Sequence, residues 1–229
     1  MIAFFFGAAF LSLLLQKSNK LANVIPGVFS LVGSTLGIIF SGSILLGKGA
    51  LSFSIAQSTF PSLAFSLSVD TLSAFFIFTI SLISFTCSVY ALGYVKHYYG
   101  KYNIGLLGLL YNLLIIGLIL LVSASHALFF LTAWEIMAIA SYFLVVYERK
   151  TEDNIKAGFL YFTMTYVGTA MILFGFLLIY KYTGSFDFET IRQNATLIPP
   201  LVKDIILILM LVGFGTKAGI IPFHIWLPS

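Results

Sequence analysis

Charge is what this sequence has least of: Asp, Glu, Lys and Arg make up 9% of its 229 residues, against roughly 25% in a soluble domain. A chain of this length folding in water would need a polar exterior, and these residues cannot provide one. Cysteine is nearly absent as well. Cys87 is the sole thiol, so an internal disulfide, a zinc cluster or an iron–sulfur ligand set within the chain is excluded, and Cys87 reads as a small apolar residue in a helix. No cofactor site is expected. The basic residues exceed the acidic ones by four, but they are scattered over loops and form no stripe, which argues against nucleic acid as a partner. The first fifteen residues lack the basic start and the small-residue cleavage site of a secretion signal, so they are expected to be a membrane helix that is retained.

What the sequence does have is hydrophobic length. Hydrophobic residues make up 60% of it and mean hydropathy is +1.05, and the apolar residues collect in seven runs of membrane-spanning scale. Helices are expected over 1–16, 21–46, 71–93, 103–122, 126–146, 156–180 and 201–221, giving an all-α polytopic membrane protein with the lipid bilayer as its outer solvent. Lys17, Lys20, Lys96, Lys101, Arg149, Lys150 and Lys156 follow helices one, three and five, whereas Lys48, Lys181, Arg192 and Lys203 lie in the alternate loops. Basic residues are retained on the cytoplasmic side, so a multi-pass cell-membrane protein with an extracytoplasmic N-terminus is expected. Between helices two and three, Leu51, Phe53 and Ile55 alternate with small residues, and Leu63, Phe65, Leu67 and Val69 repeat the alternation after Thr59-Phe60-Pro61-Ser62. That period of two predicts a β-hairpin on the outer face. Residues 1–70 thus comprise two helices and the hairpin, and 71–229 a helical repeat.

Two ionisable residues fall where charge is costly. Glu135 lies inside Leu131-Thr132-Ala133-Trp134-Glu135-Ile136-Met137, near mid-membrane, where an acid costs about 2.5–3.5 kcal/mol on insertion scales and normally faces a partner or a wet cavity. A protonated, hydrogen-bonded structural Glu is the alternative. Lys217 lies late in the seventh run among Gly213, Gly215, Gly219 and Pro222. The proline is expected to break the helix just beyond the lysine, and interrupted helices in membranes line cavities or are buried in protein. A lysine snorkelling to the interface is the alternative. Desolvation favours the neutral form of such a lysine and a nearby carboxylate the charged form, so a variable pairing of Glu135 with Lys217 would move a proton. His224 follows the break, His126 opens the fifth helix as an interfacial residue, and Lys156 begins the sixth as either a modulator or a snorkelling loop lysine. Tyr166 with Thr163, Thr165 and Thr169 forms a hydroxyl-bearing stretch suited to water or, more simply, to helix packing.

The stretches Trp134-Glu135-Ile136-Met137-Ala138-Ile139-Ala140-Ser141-Tyr142-Phe143-Leu144-Val145 and Gly215-Thr216-Lys217-Ala218-Gly219-Ile220-Ile221-Pro222-Phe223-His224-Ile225-Trp226-Leu227-Pro228 resemble the antiporter-like, proton-translocating membrane subunits. These are shared by respiratory complex I, Mrp-type sodium/proton antiporters and membrane-bound nickel-iron hydrogenases. Lys156-Ala157-Gly158-Phe159-Leu160-Tyr161 and Val167-Gly168-Thr169-Ala170 look most like the hydrogenase-associated branch. The resemblance implies that Glu135 and Lys217 are the charged pair of a proton half-channel, that Lys156 modulates it and that His224 belongs to the onward path. It further implies a non-catalytic subunit of an oxidoreductase complex, with hydrophilic redox subunits and a second antiporter-like half as partners. Tyr166 stands where the hydrogenase branch often has histidine. The family's second inverted repeat is missing, so the chain is expected to be half of a translocating unit, either a fragment or one chain of a split subunit. The competing expectations are a non-pumping scaffold, a sodium/proton antiporter subunit, and a solute carrier, the last weakened by the lack of any further intramembrane polar cluster.

Overall fold

A computed structural model of the chain describes residues 1–47, 51–57, 64–148, 152–221 and 223–224. Its elements run α1 (Ile2–Leu14), α2 (Asn19–Leu45), β1 (Leu51–Gln57), β2 (Ala64–Val69), α3 (Thr71–Tyr94), a 3-10 turn (Val95–Tyr98), α4 (Ile104–Ser123), α5 (Ala127–Val145), α6 (Glu152–Thr183), α7 (Phe188–Gln193) and α8 (Pro200–Ala218). β1 and β2 pair in a two-stranded sheet; the turn expected at Thr59 to Ser62 lies outside the described residues. Five helical stretches among the described residues, Asn19–Leu45, Thr71–Tyr98, Ile104–Ser123, Ala127–Val145 and Ile155–Thr183, are long and apolar enough to cross a membrane. α1 has 13 residues, about 20 Å at 1.5 Å per residue, and α8 carries Lys203, Asp204 and Lys217 within its 19 residues.

The chain divides into two compact units. The first contains Met1–Phe53, Leu67–Ser123 and Ala133–Leu144; the second contains Ser54–Ser66, Ala124–Thr132 and Val145–Ser229.

In the first unit the buried faces are smaller and more polar than the exposed ones. α2 buries Ala22, Asn23, Pro26, Ser30, Gly33, Ser34, Gly37 and Ser41, while Val24, Val28, Val32, Leu36 and Ile39 point outward. Lipid replaces water outside, so apolar bulk has no reason to face inward, and close backbone approach with hydroxyls bonded across helices holds them together instead, Ser81 Oγ alone among the described buried hydroxyls of this unit having no partner. Ser30 Oγ donates to Asn112 Oδ1 of α4 at 2.7 Å, and Ser34 Oγ to Ser84 Oγ of α3 at 3.2 Å. Tyr111 of α4 donates to the Ser84 carbonyl at 3.0 Å and lies 3.1 Å from Ser88 Oγ. At Gly117 a Cβ would lie 3.0 Å from the Met137 nitrogen, so α4 and α5 touch almost backbone to backbone. A small apolar cluster of Phe5, Ile115, Ile116 and Ile119 fills the space between α1 and α4. α3 begins at Asp70, whose carboxylate accepts from the Ser73 amide at 2.7 Å. That bond to the helix N-terminus holds the carboxyl below the ordinary carboxylate range.

The second unit relies on rings. Phe130 at the start of α5 meets Phe176 of α6, Phe188 of α7 and Phe214 of α8, with centroids 6.1, 6.4 and 6.0 Å away. Tyr180 stacks on Phe186 at 4.3 Å. Asp187 caps α7 through the Thr190 amide and hydroxyl, both at 2.9 Å.

Candidate functional site

Along α6, Tyr161, Gly168 and Gly175 recur every seven residues and therefore share a face. α8 runs antiparallel across it. A Cβ on Gly168 would come within 2.9 Å of the Gly213 carbonyl, one on Gly213 within 2.8 Å of the Gly168 carbonyl, and one on Gly175 within 2.8 Å of Met210 Cε. At the Gly168–Gly213 crossing the backbones approach with Thr216 and Ile172 occupying the space a Cβ would need, and the close approach is possible only because both residues are glycine. One turn beyond it, the same geometry brings Lys217 onto Tyr161. The ammonium donates to the tyrosine hydroxyl and its Nζ sits 4.5 Å from the ring centroid, so a single buried side chain, 4% exposed, supplies both an acceptor and a π face to the cation. Thr216 beside it is buried and turns its hydroxyl back on the Gly213 carbonyl at 2.8 Å.

α8 stops immediately after the lysine. Gly219 adopts φ 70°, the left-handed conformation that L side chains resist, and Ile220 donates to the Gly215 carbonyl at 3.0 Å, closing the last turn in Schellman fashion. Gly219 thus closes the described end of α8; Pro222, which the sequence pattern named for the break, lies outside the described residues. Ile220 and Phe223 lie over Gly215, where a Cβ would meet them at 3.6 and 3.8 Å. His224 follows, half-buried, and its Nδ1 is shielded from solvent without a hydrogen-bond partner among the described residues. Lys156, five residues before Tyr161 on α6, is exposed.

Glu135 belongs to the first unit, half-buried near the middle of α5 between the buried Ala133, Trp134, Met137 and Ala138. Of the four expected site residues, then, Lys217, His224 and Lys156 fall in the second unit and Glu135 in the first.

The sequence comparisons place the segment that holds this lysine in a known family. Residues 123–229 match the model for the membrane segment of the NADH:quinone oxidoreductase/Mrp antiporter family, and residues 57–103 match the N-terminal model for chain 5 of NADH-ubiquinone oxidoreductase, complex I. The chain belongs to the family of antiporter-like membrane subunits. It is 36% identical over 227 residues to hydrogenase-4 component B of Escherichia coli (strain K12), covering 96% of this chain and 32% of that protein. With formate hydrogenlyase subunit 3 of the same organism it shares 29% identity over 228 residues, covering 100% of this chain and 34% of the relative. Among solved structures, the archaeal membrane-bound sulfane sulfur reductase gives a TM-score of 0.79 at 24% identity, with 99% of this chain and 46% of that one covered. The Mrp complex from Dietzia sp. gives 0.78 at 21%, with 99% and 24% covered; both likenesses speak to the fold. The chain spans about a third of the length of the curated relatives it matches.

In this antiporter-like subunit the residue that the sequence reading passed over is Tyr161. It occurs in the quoted Lys156-to-Tyr161 stretch without a role, and its seven-residue register with Gly168 was the available signal. The hydroxyl-bearing stretch resolves toward packing. Thr163 and Thr169 donate to carbonyls one turn back at 2.9 and 3.0 Å, Thr165 is buried, and Tyr166 is 43% exposed against Phe162 at 4.3 Å. His126, expected as an interfacial residue, precedes α5 and is 5% exposed, its ring 6.0 Å from Phe186 and its backbone bridged to Asp187. Burial lowers its pKa from the ordinary 6.5, and the Asp187 charge opposes that shift. Its Nδ1 has no hydrogen-bond partner among the described residues.

Proposed function

We propose that this chain is the first half-channel segment of an ion-translocating membrane subunit, moving protons as part of a redox-driven complex of the membrane-bound hydrogenase kind. The observation that carries the reading is the half-buried Lys217 held by Tyr161 at the end of α8. A cation so placed exchanges its proton according to the charge around it. Redox work elsewhere in the complex changes the charge near Glu135, and Lys217 responds by releasing or recovering a proton. Tyr161 retains the amine in either state, because its hydroxyl accepts from the ammonium and donates to the neutral amine. His224 receives the proton onward, and Lys156 tunes the balance from the start of α6. Seven membrane passages, the last broken after Lys217, an outer N-terminus and the β1–β2 sheet on the outer face complete the arrangement. A second antiporter-like half and hydrophilic redox subunits are the partners. The relatives named for a hydrogenase and a formate hydrogenlyase support that choice of complex.

The test uses the assembled complex in vesicles, reading the proton signal per electron transferred. Glu135→Gln and Lys217→Ala are each expected to leave assembly and electron transfer in place and lower that ratio, and the double variant is expected to assemble at least as well as the worse single variant without pumping. Unchanged stoichiometry in all three leaves a non-pumping scaffold.

A further inference from the structure

The first unit contains a partly open cavity of about 250 Å³ among α2, α3, α4 and the end of α5. Its walls are apolar, formed by Ala22, Pro26, Gly27, Ala91, Leu107 and Leu144. The polar groups that reach it are already engaged within the protein. Asn23 donates to the Leu92 carbonyl at 3.3 Å and to the Tyr99 hydroxyl at 3.0 Å, and Ser30 bonds Asn112 at 2.7 Å. Asn112 donates to the Gly108 carbonyl at 2.8 Å, and Tyr111 to the Ser84 carbonyl at 3.0 Å. A cavity with mostly apolar walls, whose polar side chains bond chiefly to one another and to backbone carbonyls, is poorly suited to water, which needs two to four polar partners, and well suited to hydrocarbon. Cys87 and Tyr94 of α3 line it and are themselves exposed, so it opens along α3 toward the lipid.

The charge at this end of the unit is one-sided. Asn103 bonds Gln16 at 3.2 Å and Val95 packs with Ala22 and Ile104, bringing the α1–α2 and α3–α4 turns together. Those turns carry Lys17, Lys20, Lys96 and Lys101, all exposed. Lys20, Lys96 and Lys101 each lie within three residues of a cavity-lining residue, respectively Ala22, Val95 and Ile104. The unit's acids among the described residues are Asp70, at the opposite end of α3, and Glu135, in the middle of α5. A ladder of rings, Tyr90, Tyr94, Tyr98 and Tyr102, with successive centroids 5.2, 5.6 and 5.7 Å apart, marks headgroup depth at the same place.

We propose that this is a binding site for one anionic phospholipid, its acyl chain in the cavity and its phosphate among Lys20, Lys96 and Lys101. Basic clusters set between membrane helices favour anionic headgroups, and an apolar slot directly beneath converts a diffuse surface attraction into a defined site. The full chain in nanodiscs, titrated with spin-labelled phosphatidylglycerol or phosphatidylcholine, is expected to immobilise the anionic lipid about tenfold more tightly. The triple change Lys20→Gln, Lys96→Gln and Lys101→Gln is expected to abolish that preference, and Ala91→Phe to reduce immobilisation of both lipids by filling the slot. In the unaltered chain, phosphatidylglycerol is expected to slow alkylation of Cys87 by N-ethylmaleimide more than phosphatidylcholine does, a reading that needs no variant to fold. Equal immobilisation and equal protection by the two lipids overturn the proposal. So does complete displacement of phosphatidylglycerol by millimolar inorganic phosphate, which would leave only a headgroup-level anion site.

Discussion

The two units handle polar groups in opposite ways. In the first, serine, asparagine and tyrosine on α2, α3 and α4 largely bond one another or their own backbone, Ser81 Oγ being a buried exception, and among the described residues Glu135 is the one carboxylate or ammonium in mid-helix. In the second, the interior is aromatic, yet it holds Lys217 on Tyr161 and two histidines whose Nδ1 atoms have no hydrogen-bond partner among the described residues. Hydroxyls bonded across helices fix helix rotation, whereas Lys217 is held at a helix end by one neighbouring side chain. On the proposed function, the contrast gives structural rigidity to the first unit's hydroxyl network and proton chemistry to Lys217 and His224 of the second, with Glu135 the first unit's one participant.

The largest effect that would break this comparison is expected at the α6–α8 crossing. Gly168→Ala places a Cβ 2.0 Å from Thr216 Oγ1 and 2.9 Å from the Gly213 carbonyl, so backbone must move, at a cost of about 2–3 kcal/mol. Gly93→Ala, with nothing within 4 Å, is the control and is expected to be neutral or slightly stabilising. Denaturant unfolding in micelles, followed by helix content, checks both; equal stabilities would mean that the helices do not cross at glycine.

Next in size is Tyr161→Phe, which keeps the ring beside Lys217 and removes the acceptor. A hydrogen bond to a charged group is worth about 1.5–3 kcal/mol, and the loss is expected to appear in the second unit as a lower proton-to-electron ratio with assembly retained. In the first unit Ser30→Ala removes only one member of a neutral network, costing about 0.6 kcal/mol, and is expected to leave that ratio unchanged. If Ser30→Ala impaired pumping as much as Tyr161→Phe, the division of roles between the units would fail.

The smallest effect concerns His126. Its folded pKa lies below 6.5 because burial disfavours the charged ring. Unfolded, the group binds a proton more readily, so its contribution to stability is full above about 6.5 and is lost as pH falls through the lower folded value. Imidazole carbon shifts are expected to titrate with a midpoint below 6.5, and the protection of amides around Asp187, relative to their intrinsic exchange at each pH, to fall on acidification. A midpoint above 6.5 would show that Asp187 dominates over burial.

Much of this was legible in the residues. Apolar run length and the sparse charged breaks placed α2 to α5 within about two residues of their observed ends, because a membrane helix must satisfy its own backbone over the full hydrocarbon thickness. Glu135 and Lys217 stood out for the same reason, since a charge inside such a run is costly wherever it points. The end of α8 was legible in position from its glycines and proline, whereas the closing geometry, with φ 70° at Gly219, came only from the structure.

The sequence by itself determined that this chain is a helical membrane protein, which residues lie within its helices, and which of them cost energy there, because those properties depend on run length and residue type. Tertiary structure alone decided that Lys217 rests on Tyr161, that Gly168 meets Gly213, and that Ser30, Asn112 and Tyr111 join a satisfied network beside an apolar slot. These are pairings between residues dozens of positions apart, set by helix rotation and crossing, and one chain's periodicity contains no record of which face meets which.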